Sequence, residues 1–137
     1  MTPVHLAELH ARCFETPRPW SAMEFAQLLD SERVFLCSDD AGFALGRVVA
    51  DEVELLTLAV APEARRNGVG RELVARFEAT ASSRGACSAF LEVSAENAPA
   101  IALYETSGYL RGGLRRSYYA APDGRRIDAL LFSKSLT

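Results

Sequence analysis

The chain has 137 residues, 49% hydrophobic and 24% charged, with a net charge of −3. That is the make-up of one globular domain, residues 1–137, with enough chain to bury a real core. It gives no support to nucleic acid as a direct partner, to a membrane span, since no apolar run approaches ~20 residues, or to a metal site, since Cys13, Cys37 and Cys87 are scattered and His5 and His10 lie on different helix faces.

The start, Met1 to Leu6, lacks the basic and long apolar segments of a signal peptide. The odd, scattered cysteines read as reduced thiols in a cytoplasmic protein. Pro3 to Phe14 predicts a helix with Leu6, Leu9 and Cys13 on one side. Pro17-Arg18-Pro19-Trp20 breaks it. Ser21-Ala22-Met23-Glu24 is a capping box that opens a second short helix, with Phe25, Leu28 and Leu29 on its apolar face. Arg33 to Ser38 predicts a strand, Asp39 to Gly42 its turn, and Phe43 to Ala50 a second strand. A third ends near Val60. Its run Leu55-Leu56-Thr57-Leu58-Ala59-Val60 is almost unbroken in apolar character, which predicts a central strand buried on both faces.

A helix is predicted from Gly68 to Arg84, with Val69, Leu73 and Phe77 recurring every fourth residue and Gly85 as its C-terminal cap. Ala89 to Val93 reads as another buried strand. Pro99 suits the first turn of a helix carrying Ile101, Leu103 and Tyr104, which Gly108 ends. A hairpin closes the chain: Tyr109 to Tyr118, a turn at Pro122-Asp123-Gly124, then Arg126 to Lys134. The order implies an α/β fold, a mixed and mostly antiparallel twisted sheet flanked by helices.

Between the central strand and the long helix lies Arg65-Arg66-Asn67-Gly68-Val69-Gly70-Arg71. Glycine lets the backbone approach a bulky anion and take unusual dihedrals. The first N–H groups of a helix lack internal partners and face the positive end of its dipole. The turn therefore reads as a phosphate site to which Arg65, Arg66 and Arg71 add charge. A plain packing turn is the alternative. The lack of a following Gly-Lys-Ser/Thr argues against a nucleotide-hydrolase loop, and the lack of G-x-G-x-x-G and of repeated parallel βαβ units argues against a dinucleotide fold.

The stretch Val60 to Gly70 resembles the R/Q-x-x-G-x-G/A signature of the GCN5-related N-acetyltransferase (GNAT) superfamily, whose loop holds the pyrophosphate of acetyl-coenzyme A. Leu91-Glu92-Val93 with Asn97, Ala100-Ile101, Leu103-Tyr104 and Gly108-Tyr109 resembles the L-E-V…N-x-x-A-I-x-L-Y-x-x-x-G-F block of its RimI branch, the ribosomal-protein-alanine N-acetyltransferases. Arg115-Arg116-Ser117-Tyr118-Tyr119 is similar to that branch's R-x-x-Y-Y, and Pro19-Trp20-Ser21 to its P-W-S. The resemblance covers nearly the whole chain. It implies a single GNAT-type domain; the superfamily normally has a strand before the first helix, and Met1-Thr2-Pro3 is too short to supply one, so either the first strand is missing or something else fills the sheet edge. An edge left open in this way invites self-association, so a monomer or weak dimer is expected.

The resemblance also implies a reaction: an acetyl group passes from acetyl-coenzyme A to a protein or peptide N-terminus, with no metal. An α-amino group has a pKa of about 8, so a base must take a proton. Glu92 is the candidate, as the only charged side chain in Ala89 to Val93, where desolvation would raise a carboxyl pKa. Alternatively it faces solvent or pairs with an arginine. Tyr104 matches the family tyrosine that donates to the departing sulfur; a plain core aromatic is the alternative. Backbone N–H groups of Leu58, Ala59 and Val60 match those that polarise the thioester carbonyl. Asn97 matches a coenzyme contact and also suits a helix N-cap. The Arg115 to Tyr119 segment and Pro17 to Trp20 are expected to wall the acceptor; for the former an ordinary hairpin strand with exposed charges is the alternative. Ser94 stands where the branch often has arginine and Glu96 where it often has serine, which bears on peptide specificity. Two other readings remain open at this level: acetylation of a small-molecule amine, and a non-catalytic acyl-coenzyme A sensor.

Overall fold

The computed structural model describes every residue from Met1 to Thr137. Helix α1 spans Pro3–Cys13 and α2 spans Ala22–Leu29. Three strands follow, β1 (Val34–Ser38), β2 (Gly42–Val49) and β3 (Glu52–Val60). A single 3-10 turn, Pro62–Ala64, leads into α3 (Val69–Ser83). Then come β4 (Ser88–Ser94), α4 (Ala98–Thr106), β5 (Leu110–Ala120) and β6 (Arg126–Ser135). The elements are those the sequence predicts, with ends moved by a residue or two.

Local chemistry explains the boundaries. Ser21 accepts from the Glu24 N–H while the Glu24 carboxylate accepts from the Ser21 N–H, so the capping box forms. Gly85 takes φ 95° beyond the end of α3, and Ala86 N–H reaches back to Ala81 O at 3.0 Å. That geometry satisfies the last carbonyls of the helix and needs a residue without a Cβ penalty.

The six strands form one sheet in the order β1-β2-β3-β4-β6-β5. Every neighbouring pair is antiparallel except β3 and β4, which α3 connects as a parallel crossover. Within residues 1–137 the outer strands of the sheet are β1 and β5. One face packs against α3 and α4 through Phe35, Leu55, Leu73, Phe77, Leu91 and Phe132. The other packs against α1 and α2 through Leu6, Phe25, Phe43, Leu45 and Ala59.

Strand β3 corrects one expectation. Its burial alternates rather than extending to both faces along its length. Leu55 and Leu56 are both apolar because a β-bulge falls there: Gly46 pairs with Leu55 and Leu45 with Thr57, leaving Leu56 as the extra residue. The bulge reverses the facing of the strand. Val53 and Leu55 pack toward α3, whereas Thr57 and Ala59 pack toward α1.

Candidate active site

The parallel pairing of β3 with β4 is short. It holds from Glu52–Ser88 to Glu54–Phe90 and then stops. Beyond it β3 stays on β2 as far as Val60, while β4 stays on β6 as far as Ser94. The two strands therefore diverge and leave an opening in the middle of the sheet. Ala61 N–H donates to Ala41 O at 2.7 Å, on the β2 side. Backbone groups alternate along a strand, so the N–H groups of Leu58 and Val60 point the other way, into the opening. Ala59 points toward β2 and is paired there with Phe43.

At the end of β3 the chain reaches the glycine-arginine turn. Gly68 adopts a left-handed conformation (φ 80°) as the N-cap of α3, and nothing lies within 4 Å of where its Cβ would be. Gly70 allows close packing instead: a Cβ there would sit 3.1 Å from Leu103 Cδ2 on α4, tight enough that the leucine would have to shift. The first backbone bond of the helix runs from Glu72 N–H to Gly68 O. No backbone N–H from Arg66 to Arg71 bonds to another backbone group. These consecutive free donors, exposed and at the positive end of a helix, form a nest for an anion. Arg66 and Arg71 are exposed and make no ion pair, while Arg65 Nε donates to Val60 O at 3.3 Å and so also braces the strand end. Asn67 and Val69 contribute their backbone to the same turn.

Glu92 lies on the strand that borders the opening, and Tyr104 lies on α4 within the core of the opposite face of the sheet. On β4, Ala89, Leu91 and Val93 face α3 and α4, so Glu92 faces the other way, two residues past the last β3 contact. Its surroundings are wetter than the sequence suggests. The side chain is 23% exposed and Oε1 pairs with Arg115 Nε at 3.0 Å, so of the alternatives open at the sequence level the arginine partner is the one found. Arg115 in turn lies over the Tyr118 ring at 5.4 Å, and Tyr119 packs edge-on to Tyr118. Burial, with the nearby Glu92 carboxylate, pushes the Tyr119 phenol up to about 12. The β5 register slips between Arg115 and Tyr119, where Ser117 takes φ 52°, and this loops the segment over Glu92.

Tyr104 lies on the α3 and α4 side, 6% exposed, edge-on to Tyr109 at 6.0 Å. Burial pushes its phenol pKa upward, so it keeps its proton across the working range of an enzyme. Asn97 caps α4 by accepting from Ala100 N–H at 3.2 Å, the structural role open to it from sequence. Ser94 and Glu96 hold the loop between β4 and α4: Ser94 Oγ accepts from Glu96 N–H, and the Glu96 carboxylate takes both ends of the Arg125 guanidinium from the hairpin turn. Trp20 lines a depression of about 480 Å³ with Leu28, Val34, Arg47 and Leu56, on the same face as Glu92.

Sequence reasoning missed His10. It is 1% exposed, accepts from Trp20 N–H on Nδ1 at 3.0 Å and bonds Thr57 Oγ1 through Nε2 at 2.9 Å. Burial lowers its pKa to about 4. The available signal was its place four residues after Leu6, on the buried stripe of α1. No group of side chains suited to a metal is found, and no helix is long and apolar enough to cross a membrane.

Residues 4–109 match the model of the acetyltransferase (GNAT) family. The chain is 38% identical over 125 residues to the [ribosomal protein bS18]-alanine N-acetyltransferase of Escherichia coli K12, covering 84% of this chain and 80% of that one. It superposes on the crystal structure of the E. coli ribosomal-protein-S18-alanine N-acetyltransferase with a TM-score of 0.83 at 35% identity, over 96% of this chain and 85% of that one. Arabidopsis thaliana NAA60 in complex with acetyl-CoA gives the same TM-score of 0.83 at 19% identity, over 97% of this chain and 92% of that one, a likeness of fold.

Proposed function

The chain belongs to the GNAT family of acetyltransferases, and from that premise we propose that it transfers the acetyl group of acetyl-coenzyme A to the N-terminal amine of a protein. The acceptor favoured by its relatives is the alanine N-terminus of a small-subunit ribosomal protein, bS18. Work on a ribosomal protein implies the cytoplasm. One observation supports the reading: β3 and β4 part beyond Glu54 and Phe90, with the free N–H groups of an anion nest following the end of β3 and the Glu92 carboxylate on the parting strand.

The nest fits a diphosphate. Backbone donors from Arg66 through Gly68, Val69 and Gly70 to Arg71 face outward, and Arg66 and Arg71 supply free positive charge beside them. Asn97 sits at the foot of α4 on the same side as a further contact, in addition to its cap. When bound, acetyl-coenzyme A supplies an acyl carbon activated as a thioester. The N–H groups of Leu58 and Val60 are aimed where a thioester oxygen would gather negative charge; preorganised donors of this kind lower a barrier by a few kcal/mol. Ala59 holds its neighbours in place through β2 rather than facing the opening.

Glu92 accepts a proton from the incoming ammonium, directly or through one water, so that the amine attacks as a neutral nucleophile. Its partner Arg115 is half exposed, and an ion pair of that kind is worth at most about 1 kcal/mol. An arriving ammonium therefore displaces it at little expense. Tyr104 holds its hydroxyl proton for the departing sulfur. The Arg115 to Tyr119 loop and Pro17 to Trp20 stand on either side of the acceptor path.

The test is a rate comparison. Purified protein with acetyl-coenzyme A should acetylate a peptide starting with the mature bS18 N-terminus far faster than free small amines. A preference for small amines would replace the acceptor assignment. Binding of acetyl-coenzyme A without turnover on any amine would reduce the protein to a sensor.

A further inference from the structure

His10 joins three parts of the acceptor side and has no place in the chemistry above. Its Nδ1 accepts from the backbone N–H of Trp20, so Nδ1 carries no proton. The ring proton therefore sits on Nε2 and is donated to Thr57 Oγ1. The ring stacks on Phe14 with centroids 4.2 Å apart and on Trp20 at 5.1 Å, and Phe25 closes it edge-on at 5.4 Å. Both of its hydrogen-bonding atoms are used and the residue is sealed from water.

The two partners are significant for where they lie. Trp20 belongs to the connection between α1 and α2, which has no helix or strand of its own to fix it. Thr57 directly follows the bulged Leu56 and directly precedes Leu58, whose N–H faces the opening. His10 is thus a rigid strut between the wall of the acceptor path and the strand that receives the thioester. A planar ring with one acceptor and one donor on opposite edges sets the distance between them.

We infer that His10 is a positioning residue for the acceptor, fixing the Trp20 wall relative to the carbonyl-binding end of β3. This rests on the acetyltransferase reading above. It requires that the loss of His10 loosen the acceptor and leave the coenzyme untouched, since the anion nest runs from Arg66 into the start of α3 and none of its residues belongs to the cluster around His10.

The test uses His10→Leu, which fills the space and removes both bonds, and His10→Gln, which keeps a donor and an acceptor. Trp20 is the only tryptophan in the chain, so its emission reports the wall directly. His10→Leu should red-shift that emission and raise the peptide KM about tenfold, the loss of one buried hydrogen bond and its orphaned partner. The KM for acetyl-coenzyme A should stay within about twofold, a value set by the intact nest. His10→Gln should recover most of the peptide KM. An unchanged peptide KM and emission in His10→Leu, or an equal rise in both KM values, overturns the inference. Should His10→Leu fail to fold, Thr57→Val removes only the far partner and faces the same two criteria. Wild-type protein that acetylates no peptide would instead refute the functional reading, and the Trp20 emission of the variants would still decide whether His10 holds the wall.

Discussion

Acid should weaken this fold through one histidine. In the folded chain burial lowers the His10 pKa from 6.5 to about 4. Between those values the unfolded chain binds a proton at His10 and the folded chain does not. Stability therefore rises with pH across the window and is lost as pH falls from about 6.5 to about 4. One pH unit per proton is worth about 1.4 kcal/mol, so the full window amounts to about 3 kcal/mol, a sizeable part of the 5–15 kcal/mol typical of a domain. Protonation also puts a hydrogen on Nδ1, against the Trp20 N–H, and breaks that bond. Carboxylates lose stability in acid as well, so the comparison must be with His10→Gln. Glu24, the charged group that raises the His10 pKa against burial, has its own pKa lowered to about 2 by Arg18 and stays ionised throughout the window. Urea unfolding of both proteins at intervals from pH 7 to pH 4 gives the difference directly. The wild type should lose about 3 kcal/mol relative to His10→Gln across the series. Parallel curves would mean that His10 is not sealed from water, and the strut would lose its physical basis.

Other outcomes can be checked on the same protein. Glu92→Gln and Tyr104→Phe should each lower kcat about a hundredfold, the usual share of a positioned base or acid, while calorimetry shows acetyl-coenzyme A binding nearly unchanged; wild-type rates would remove these roles. Gly70→Val should press on Leu103 and shift the first turn of α3, raising the Kd for acetyl-coenzyme A about tenfold, the worth of one charge-assisted hydrogen bond; an unchanged Kd would place the diphosphate elsewhere. Ser21→Ala removes the capping box of α2 and should lower stability by about 1 kcal/mol in thermal or urea unfolding, with no effect on coenzyme affinity.

Much of this site is legible in the sequence because it depends on backbone and on local pattern. Gly68 and Gly70 announce a turn, the period of Leu73 and Phe77 announces a helix, and a helix start after a buried strand announces free N–H groups. Glu92 is visible as a lone charge in an apolar strand. The features that escape reading are all non-local. The bulge at Leu56 depends on how β3 meets β2, and two adjacent leucines look the same whether a strand is buried on both faces or slips register. Arg115 on β5 reaches Glu92 on β4 across β6, and no spacing along the chain encodes that. His10 looks like one more polar residue on a surface helix until Trp20 and Thr57 are brought to it from 10 and 47 residues away.

The distribution of rigidity follows from these same contacts. In the proposed site the coenzyme side is made from main-chain groups at the end of a strand and the start of a helix, and such groups cannot be retuned by side-chain substitution. The acceptor side proposed here is made from side chains on connections: Trp20 between α1 and α2, Arg115 to Tyr119 in a looped strand, Glu96 and Arg125 tying a turn to the β4–α4 loop. Exposed ion pairs such as Glu96–Arg125 hold weakly, so this wall can exchange one arrangement for another. Ser94 and Glu96 depart from the branch pattern within that wall and not within the nest. A change of acceptor is therefore open to this scaffold without disturbing acetyl transfer, and exchanging Ser94 and Glu96 for arginine and serine should move peptide preference while leaving the coenzyme KM where it is. A shift in the coenzyme KM instead would mean that the two sides are mechanically joined through β4, and the separation argued from the fold would fail.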